Sequence, residues 1–363
     1  AQNNQVRGLK LIVLDSTEPA AIKEIEQEIE IAKTLFVVSS KSGTTAEVMA
    51  FYSYFFSRVK EIRKKKAGEN FIAITDPDTP LVVLAQRKNF RKIFLNFNDI
   101  GGRYSALSYF GILPAVLMGI NVKELLNRAS AMAKACGHQV PASQNPGVIL
   151  GAAIAQLALQ GCDKLTYLMP SSFSTFGLWL EQLIAESTGK NGKGVLPING
   201  YPLIEMNTYG EDRIFFQMEV ENEGRNFVSQ RINDFIFMDY PVLGIQIKDE
   251  LDLGQEFFRW EIATITASSI LGINPFDQPN VQESKKCTDD LLKAIEKNGE
   301  LPEMRPSLLE DSLFYYSTYG ANDVKSLLEK NFHLIRQGDY VSIQAYLAED
   351  PVMKKEILEI KKI

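Results

Sequence analysis

The chain has 363 residues, more than a single hydrophobic core usually organises, so its length predicts two or more domains. A net charge of −6 with 45% hydrophobic and 23% charged residues is an ordinary globular balance, and it excludes a broadly basic nucleic-acid-binding surface. Three scattered cysteines form no disulfide framework, the lone His138 and His333 sit in no metal-ligand spacing, and no signal peptide or apolar run of bilayer length is visible, which together predict a cytoplasmic chain.

The chain opens on Ala1 in the polar stretch "AQNNQVRG", which suggests a fragment or a processed chain. "LKLIVLD" (Leu9 to Asp15) reads as a strand. "STEPAAIKEIEQEIEIA" reads as a helix, capped by Ser16 or Thr17, with Pro19 in its first turn. The apolar run in "TLFVVSS" is the next strand. A polar run from Ser39 to Thr45 follows, and then Val48, Phe51, Tyr52, Phe55, Phe56 and Val59 mark one face of a helix. "FIAITD" and "KIFLNF" are two further short apolar runs with a helix between them. Fully apolar strands alternating with helices predict an α/β fold with a mainly parallel sheet covered on both faces.

Between Ala129 and Pro146 the composition turns small and polar, and "PASQNPG" reads as a boundary. Beyond it the alternation resumes. "DKLTYLMP", "RIFFQMEV" and "PVLGIQI" are strands. "FGLWLEQLIAESTG" is a helix ending at Gly189, and "GQEFFRWEIATITASSILG" is a long amphipathic helix. From about Lys285 the chain is charged and mostly helical. The expected organisation is a domain over residues 1–135, a second over 145–285, and a helical extension over 286–363.

Four loops could carry chemistry. "SSKSGTTAE" joins a parallel strand to a helix, the edge where ligands collect. Gly43 lets the backbone approach, hydroxyls surround it, and the helix N-terminus attracts anions. Taken alone, a hydroxyl-capped turn explains it equally well. In "NFNDIGGRYSALSYFG", Gly101 and Gly102 allow a tight turn, and Arg103 stands at the mouth of the next helix, where a guanidinium can hold an anion or a developing negative charge. In "LWLEQLIAESTGKNGKG", Gln182 and Glu186 are four apart and share a helix face, so Glu186 is a candidate general base and Glu181 points elsewhere. In "NPFDQPNVQESKKC", Pro275 and Pro279 lead into a helix on which Gln278 and Lys285 could face one site. Each of these is also an ordinary surface residue when read singly.

Together, in this order, the blocks "SSKSGTTAE", "GGRYSALSYFGILPA", "EQLIAESTGKNGKG" and "NPFDQPNVQESK" resemble the phosphoglucose isomerase family, whose members are built from sugar-isomerase (SIS) domains. The segments "LIVLDSTEPAAI" and "GDYVSIQAYLAED" further resemble the isomerase half of bacterial transaldolase–glucose-6-phosphate isomerase fusions. The resemblance implies two SIS-type αβα sandwiches and interconversion of glucose 6-phosphate and fructose 6-phosphate without metal or redox cofactor. It implies that Ser40, Lys41 (mainly through its backbone), Ser42 and Thr45 bind the phosphate, with Gly102 beside the substrate. Arg103 would stabilise the enediolate, Glu186 would carry the proton between C2 and C1, and Gln182 and Gln278 would contact the sugar while Lys285 assists at its ring. A homodimer is expected on the same ground, with no nucleic-acid or membrane partner, and a fused transaldolase domain is a possible neighbour.

Two family features are missing from their expected places. A glycine- and serine-rich loop should precede "LIVLD", so the chain reads as truncated at its N-terminus, with an apolar sheet edge left open to self-association. The ring-opening histidine is also absent: its region reads "YGEDRIFFQM", with Asp212 and Arg213. Three other readings stay open. One is a non-catalytic sugar-phosphate-binding module, which would need the serine–threonine loop but not the set Gln182, Glu186, Gln278 and Lys285. The second is an inactive fragment of the isomerase. The third is an isomerase of another phosphosugar, such as mannose 6-phosphate.

Overall fold

The computed structural model describes residues 8–200, 209–221, 227–302, 304–336, 338–347 and 351–360. They fall into two compact units, one running up to Phe276 and including the segment from Tyr346, the other spanning Asp277–Ala345.

The first unit begins with α1 (Pro19–Glu28), β1 (Phe36–Ser39), α2 (Ala46–Arg63), β2 (Phe71–Thr75), α3 (Pro80–Arg87), β3 (Lys92–Leu95), α4 (Tyr109–Leu117) and α5 (Val122–Ala135). The three strands form a parallel sheet in the order β1-β2-β3, with Val38 opposite Ala73 and Ile74 opposite Phe94. The middle strand, FIAIT, is buried along its whole length, as a run with no charge and both faces covered must be. The α2 stripe supplies one cover: Tyr52, Phe55 and Val59 are buried, and Tyr52 and Val59 pack with Phe71, Ala73, Leu81 and Ala85.

The strand expected over Leu9 to Asp15 does not form. A strand needs a neighbour's ladder, and among the described residues the backbone of this stretch bonds only from the Leu9 N–H to the Leu117 carbonyl, at 2.8 Å, while the Lys10 ammonium pairs with the Glu28 carboxylate. Leu9 and Val13 stay 59% and 68% exposed. Nor is the helix that follows capped by Ser16 or Thr17: the Glu18 carboxylate accepts from the Ala21 N–H at 2.8 Å, with Pro19 opening the first turn.

The same unit continues with α6 (Pro146–Leu159), β4 (Lys164–Leu168), α7 (Ser174–Thr188), β5 (Leu196–Ile198), β6 (Arg213–Val220), α8 (Phe227–Phe237), β7 (Val242–Ile247) and α9 (Leu253–Leu271). Its sheet, in the order β5-β4-β6-β7, is parallel throughout. The main core lies between this sheet and its helices, around Leu165, Phe216, Leu180, Leu183 and Trp260. Helix α6 seats against α9 backbone to backbone. A Cβ on Gly147 would stand 2.7 Å from the Ile262 side chain, and one on Gly151 would stand 2.2 Å from the Ala263 carbonyl oxygen, so only glycine permits this approach.

The second unit holds α10 (Pro279–Asn298), the antiparallel hairpin β8 (Leu308–Glu310) and β9 (Leu313–Tyr315), and α11 (Val324–Phe332); α12 (Pro351–Ile360) belongs to the segment grouped with the first unit. The architecture is thus α/β with mainly parallel sheets, as the alternation of apolar runs predicts. No described helix is long and apolar enough to cross a membrane.

Candidate active site

The loop from Ser40 to Thr45 closes the carboxyl end of β1 onto the N-terminus of α2. Ser40 is buried, its Oγ lies 2.8 Å from Thr45 Oγ1, and it accepts the Gly43 N–H at 3.1 Å. Ser42 Oγ lies 2.9 Å from Thr44 Oγ1. Thr45 is the cap residue of α2, yet its side chain makes no capping bond, so these hydroxyls organise the loop rather than the helix end. The Lys41 ammonium pairs with the Asp76 carboxylate and donates to the Asn98 carbonyl at 3.2 Å. That links the loops after all three strands of the sheet at one edge.

Gly43 has φ +67°, and a Cβ there would lie 2.9 Å from both the Leu81 nitrogen and the Thr79 Cβ. Gly43→Ala is expected to lower stability by roughly 1–3 kcal/mol, read as a lower urea midpoint with unchanged slope. Gly102 is the opposite case. It opens the short turn Gly102–Tyr104, is exposed, and nothing stands within 4 Å of where its Cβ would be. Gly102→Ala is therefore expected to leave the unfolding midpoint within about 0.5 kcal/mol of the parent. A weakened affinity for sugar phosphate in that stable variant would show that a ligand comes close to this backbone.

The same turn drives Arg103 inward, to 3% side-chain exposure, with its Nε 3.3 Å from Glu186 Oε2. Its Nη1 donates to Ser187 Oγ at 2.5 Å and to the Pro275 carbonyl at 3.0 Å. Tyr104 adds its hydroxyl, 3.1 Å from the same Ser187 Oγ. On α7 the i,i+4 spacing brings Gln182 and Glu186 together, the Gln182 amide donating to Glu186 Oε1 at 3.1 Å. Glu186 is therefore held from two sides while its side chain keeps 31% exposure. A carboxylate so placed can take up and return a proton without losing its position.

The structure thus brings Arg103, Gln182 and Glu186 into contact, and ties Ser40, Lys41, Ser42 and Thr45 into one loop at the first sheet's edge. Gln278 and Lys285 lie on the other unit: Gln278 is half-buried at the N-cap of α10, and Lys285 is exposed seven residues on, on the same helix face. Asp212 and Arg213, in the region expected to hold the histidine, are occupied within the second sheet, Asp212 with Lys164 at 3.1 Å and Arg213 with Thr166 Oγ1 at 3.0 Å. Among the described residues no cluster of His, Cys, Asp or Glu is arranged to hold a metal ion. Sequence reasoning missed Ser187 and Tyr104. Both lie inside the quoted blocks, but a serine and a tyrosine carry no signal until the fold places them against Arg103.

A further carboxyl, Glu261, lies one turn along α9 from Phe257, which packs on Trp179 of α7 with ring centroids 4.8 Å apart. Its Oε1 is buried without a hydrogen-bond partner, and burial pushes the carboxyl from 4.5 up to about 8. The folded state then keeps a proton that the unfolded chain releases, so stability falls as pH rises between those two values. Glu261→Gln is expected to raise stability by roughly 2 kcal/mol at pH near 8 and to change nothing near pH 4, read by thermal unfolding at both.

Comparison with known proteins adds to this geometry. The family model described as phosphoglucose isomerase matches residues 1–201. Over 327 residues the chain is 27% identical to a "Probable glucose-6-phosphate isomerase" of Methanococcus maripaludis, covering 80% of this chain and 73% of that protein. Over 336 residues it is 29% identical to the glucose-6-phosphate isomerase of Carboxydothermus hydrogenoformans, covering 78% and 71%. Among solved structures, a hypothetical protein from Thermus thermophilus superposes with TM-score 0.71 at 21% identity, covering 79% of this chain and 78% of that one. A glucose-6-phosphate isomerase from Chlamydia trachomatis superposes with TM-score 0.63 at 19% identity, covering 88% and 66%. At those identities the superpositions speak for the fold alone.

Proposed function

The chain belongs to the phosphoglucose isomerase family, and on that premise we propose that it interconverts glucose 6-phosphate and fructose 6-phosphate. The observation that carries the reading is the group formed by Gln182, Glu186 and Arg103, a partly exposed carboxylate held between an amide and a buried guanidinium. Aldose–ketose interconversion needs one base that removes a proton and returns it to the adjacent carbon, with positive charge near the oxygens. Glu186 is the base, moving the proton between C2 and C1 through an enediol or enediolate. Arg103 stabilises the negative charge as it develops.

Ser40, Ser42, Thr45 and the Lys41 backbone take the phosphate, which fixes the far end of the substrate and so positions the reacting carbons. Gly102 allows the sugar to approach the turn, and Gln182 contacts it. Gln278 and Lys285 keep the roles the resemblance implies, contact with the sugar and assistance at its ring. A homodimer accompanies this reading, and sedimentation of the purified chain tests it.

The deciding measurement is fructose 6-phosphate turnover, coupled to glucose-6-phosphate dehydrogenase. Turnover abolished by Glu186→Gln supports the reading. A folded sample that binds sugar phosphate without turning it over would overturn it for this chain.

A further inference from the structure

Just past α7 the chain reads Lys190, Asn191, Gly192, Lys193. Asn191 and Gly192 both have left-handed backbones, with φ +56° and +68°, and Lys190 and Lys193 exchange backbone hydrogen bonds at 3.2 and 3.0 Å. An Asn-Gly pair in that conformation makes a two-residue turn, which sets the flanking side chains next to each other on one face. Two ammonium groups so placed repel, and each needs compensation. Both find it at the end of α9. Lys193 donates to the Leu271 carbonyl at 2.9 Å, where a cation also meets the negative end of the helix dipole. Lys190 reaches past the helix. It is buried, and its ammonium donates to the Asn274 carbonyl.

The next carbonyl along the chain, that of Pro275, takes Arg103 Nη1 at 3.0 Å. That nitrogen has two protons, and Ser187 Oγ takes the other at 2.5 Å. The segment between the two cations is stiff. Proline fixes φ at Pro275. Asn274 Oδ1 accepts the Phe276 N–H at 3.1 Å, and the Phe276 ring packs on Tyr104 with centroids 5.6 Å apart. The bonds close a ring. Glu186 meets Arg103 Nε, Arg103 Nη1 meets Pro275, Asn274 meets Lys190, and Lys190 returns to Glu186 along four residues of chain. Hydrogen bonds from cations are roughly twice as strong as neutral ones. The Asn274–Pro275 peptide is thus pinned from both sides and braces the Nη1 end of the guanidinium, while Glu186 holds its Nε.

We propose that Lys190 is a positioning residue of this site, acting through the Asn274–Pro275 segment on the guanidinium of Arg103, whereas Lys193 only closes the end of α9. Only the consequence for turnover rests on the isomerase reading; the brace does not. The test compares Lys190→Met, which keeps the stem and loses the ammonium, with Lys193→Met as the structural control, both in the full chain. Nitrogen-15 NMR reads how fast the Arg103 Nε–H exchanges with water. The expected result is exchange at least about fivefold faster in Lys190→Met and within about twofold of the parent in Lys193→Met. Unchanged exchange in Lys190→Met overturns the proposal, as does an equal acceleration in Lys193→Met. Should Lys190→Met fail to fold, Asn274→Ala takes its place, since it releases the Phe276 N–H from the same segment. Faster Arg103 exchange in that variant supports the proposal, and a parent-like rate overturns it. Turnover measured alongside should show kcat about tenfold lower in Lys190→Met with KM within about threefold, because a displaced guanidinium stabilises the developing charge less while the loop from Ser40 to Thr45 is untouched. Lys193→Met should keep the parent kcat. Faster Arg103 exchange in Lys190→Met without turnover in any sample, the parent included, would sink the isomerase reading and leave the brace standing. Parent turnover with an Arg103 signal indifferent to Lys190 would do the reverse.

Discussion

Glu186→Gln is expected to cut fructose 6-phosphate turnover by about 10³-fold or more while changing sugar-phosphate affinity by less than about threefold. The substitution keeps the shape and a carbonyl oxygen. The Gln182 amide meets Glu186 Oε1 at 3.1 Å and the Arg103 Nε meets Oε2 at 3.3 Å, so the one carbonyl oxygen of glutamine can serve the buried guanidinium while the exposed Gln182 amide turns to water. What disappears is the basic oxygen. The two readouts are expected to separate because the Ser40–Thr45 loop, the proposed phosphate site, is anchored independently, through Ser40, Thr45 and the Lys41–Asp76 pair. Turnover kinetics and calorimetric titration on the same sample check this, and an affinity that falls in step with turnover would count against the base role.

Arg103→Lys should be nearly as damaging and should also weaken the fold. The guanidinium reaches Glu186, Ser187 and the Pro275 carbonyl at once from a buried position. A lysine is a point charge on a flexible stem and cannot satisfy that fork. Turnover is expected to drop by about 10²–10³-fold, and stability by about 2–3 kcal/mol from buried polar groups left without partners. In thermal unfolding that is a fall of roughly 5–10 °C. A variant with parent-like melting and lost turnover would mean that the structural contacts are replaceable and only the charge geometry matters.

Most of the strand–helix alternation was legible because β2, β4 and β6 are apolar runs bounded by polar turns, and because α2 and α7 carry clear helical spacing. Three things were not. Leu9 to Asp15 has strand composition, but pairing is a property of neighbours, and composition cannot supply one. The three residues of β5 carry no strand signal of their own, being too short for a pattern and holding Pro197, which is tolerated because β5 is an edge strand. At the site, Gln182 and Glu186 were predictable from helix spacing alone, whereas the bond from Arg103 to Ser187 spans 84 positions and exists only through packing. Gly43 and Gly102 look alike in the sequence. The first is required by a left-handed backbone in a crowded corner, and the second stands in open space.

The glycine seam between α6 and α9 has a kinetic consequence. Two helices whose backbones touch cannot part by side-chain rotation, so no small fluctuation lets solvent reach the amides from Ile262 to Thr266. Their hydrogen exchange should proceed only when the unit unfolds as a whole, making that stretch an internal gauge of global stability against which the motions of the site's loops can be timed.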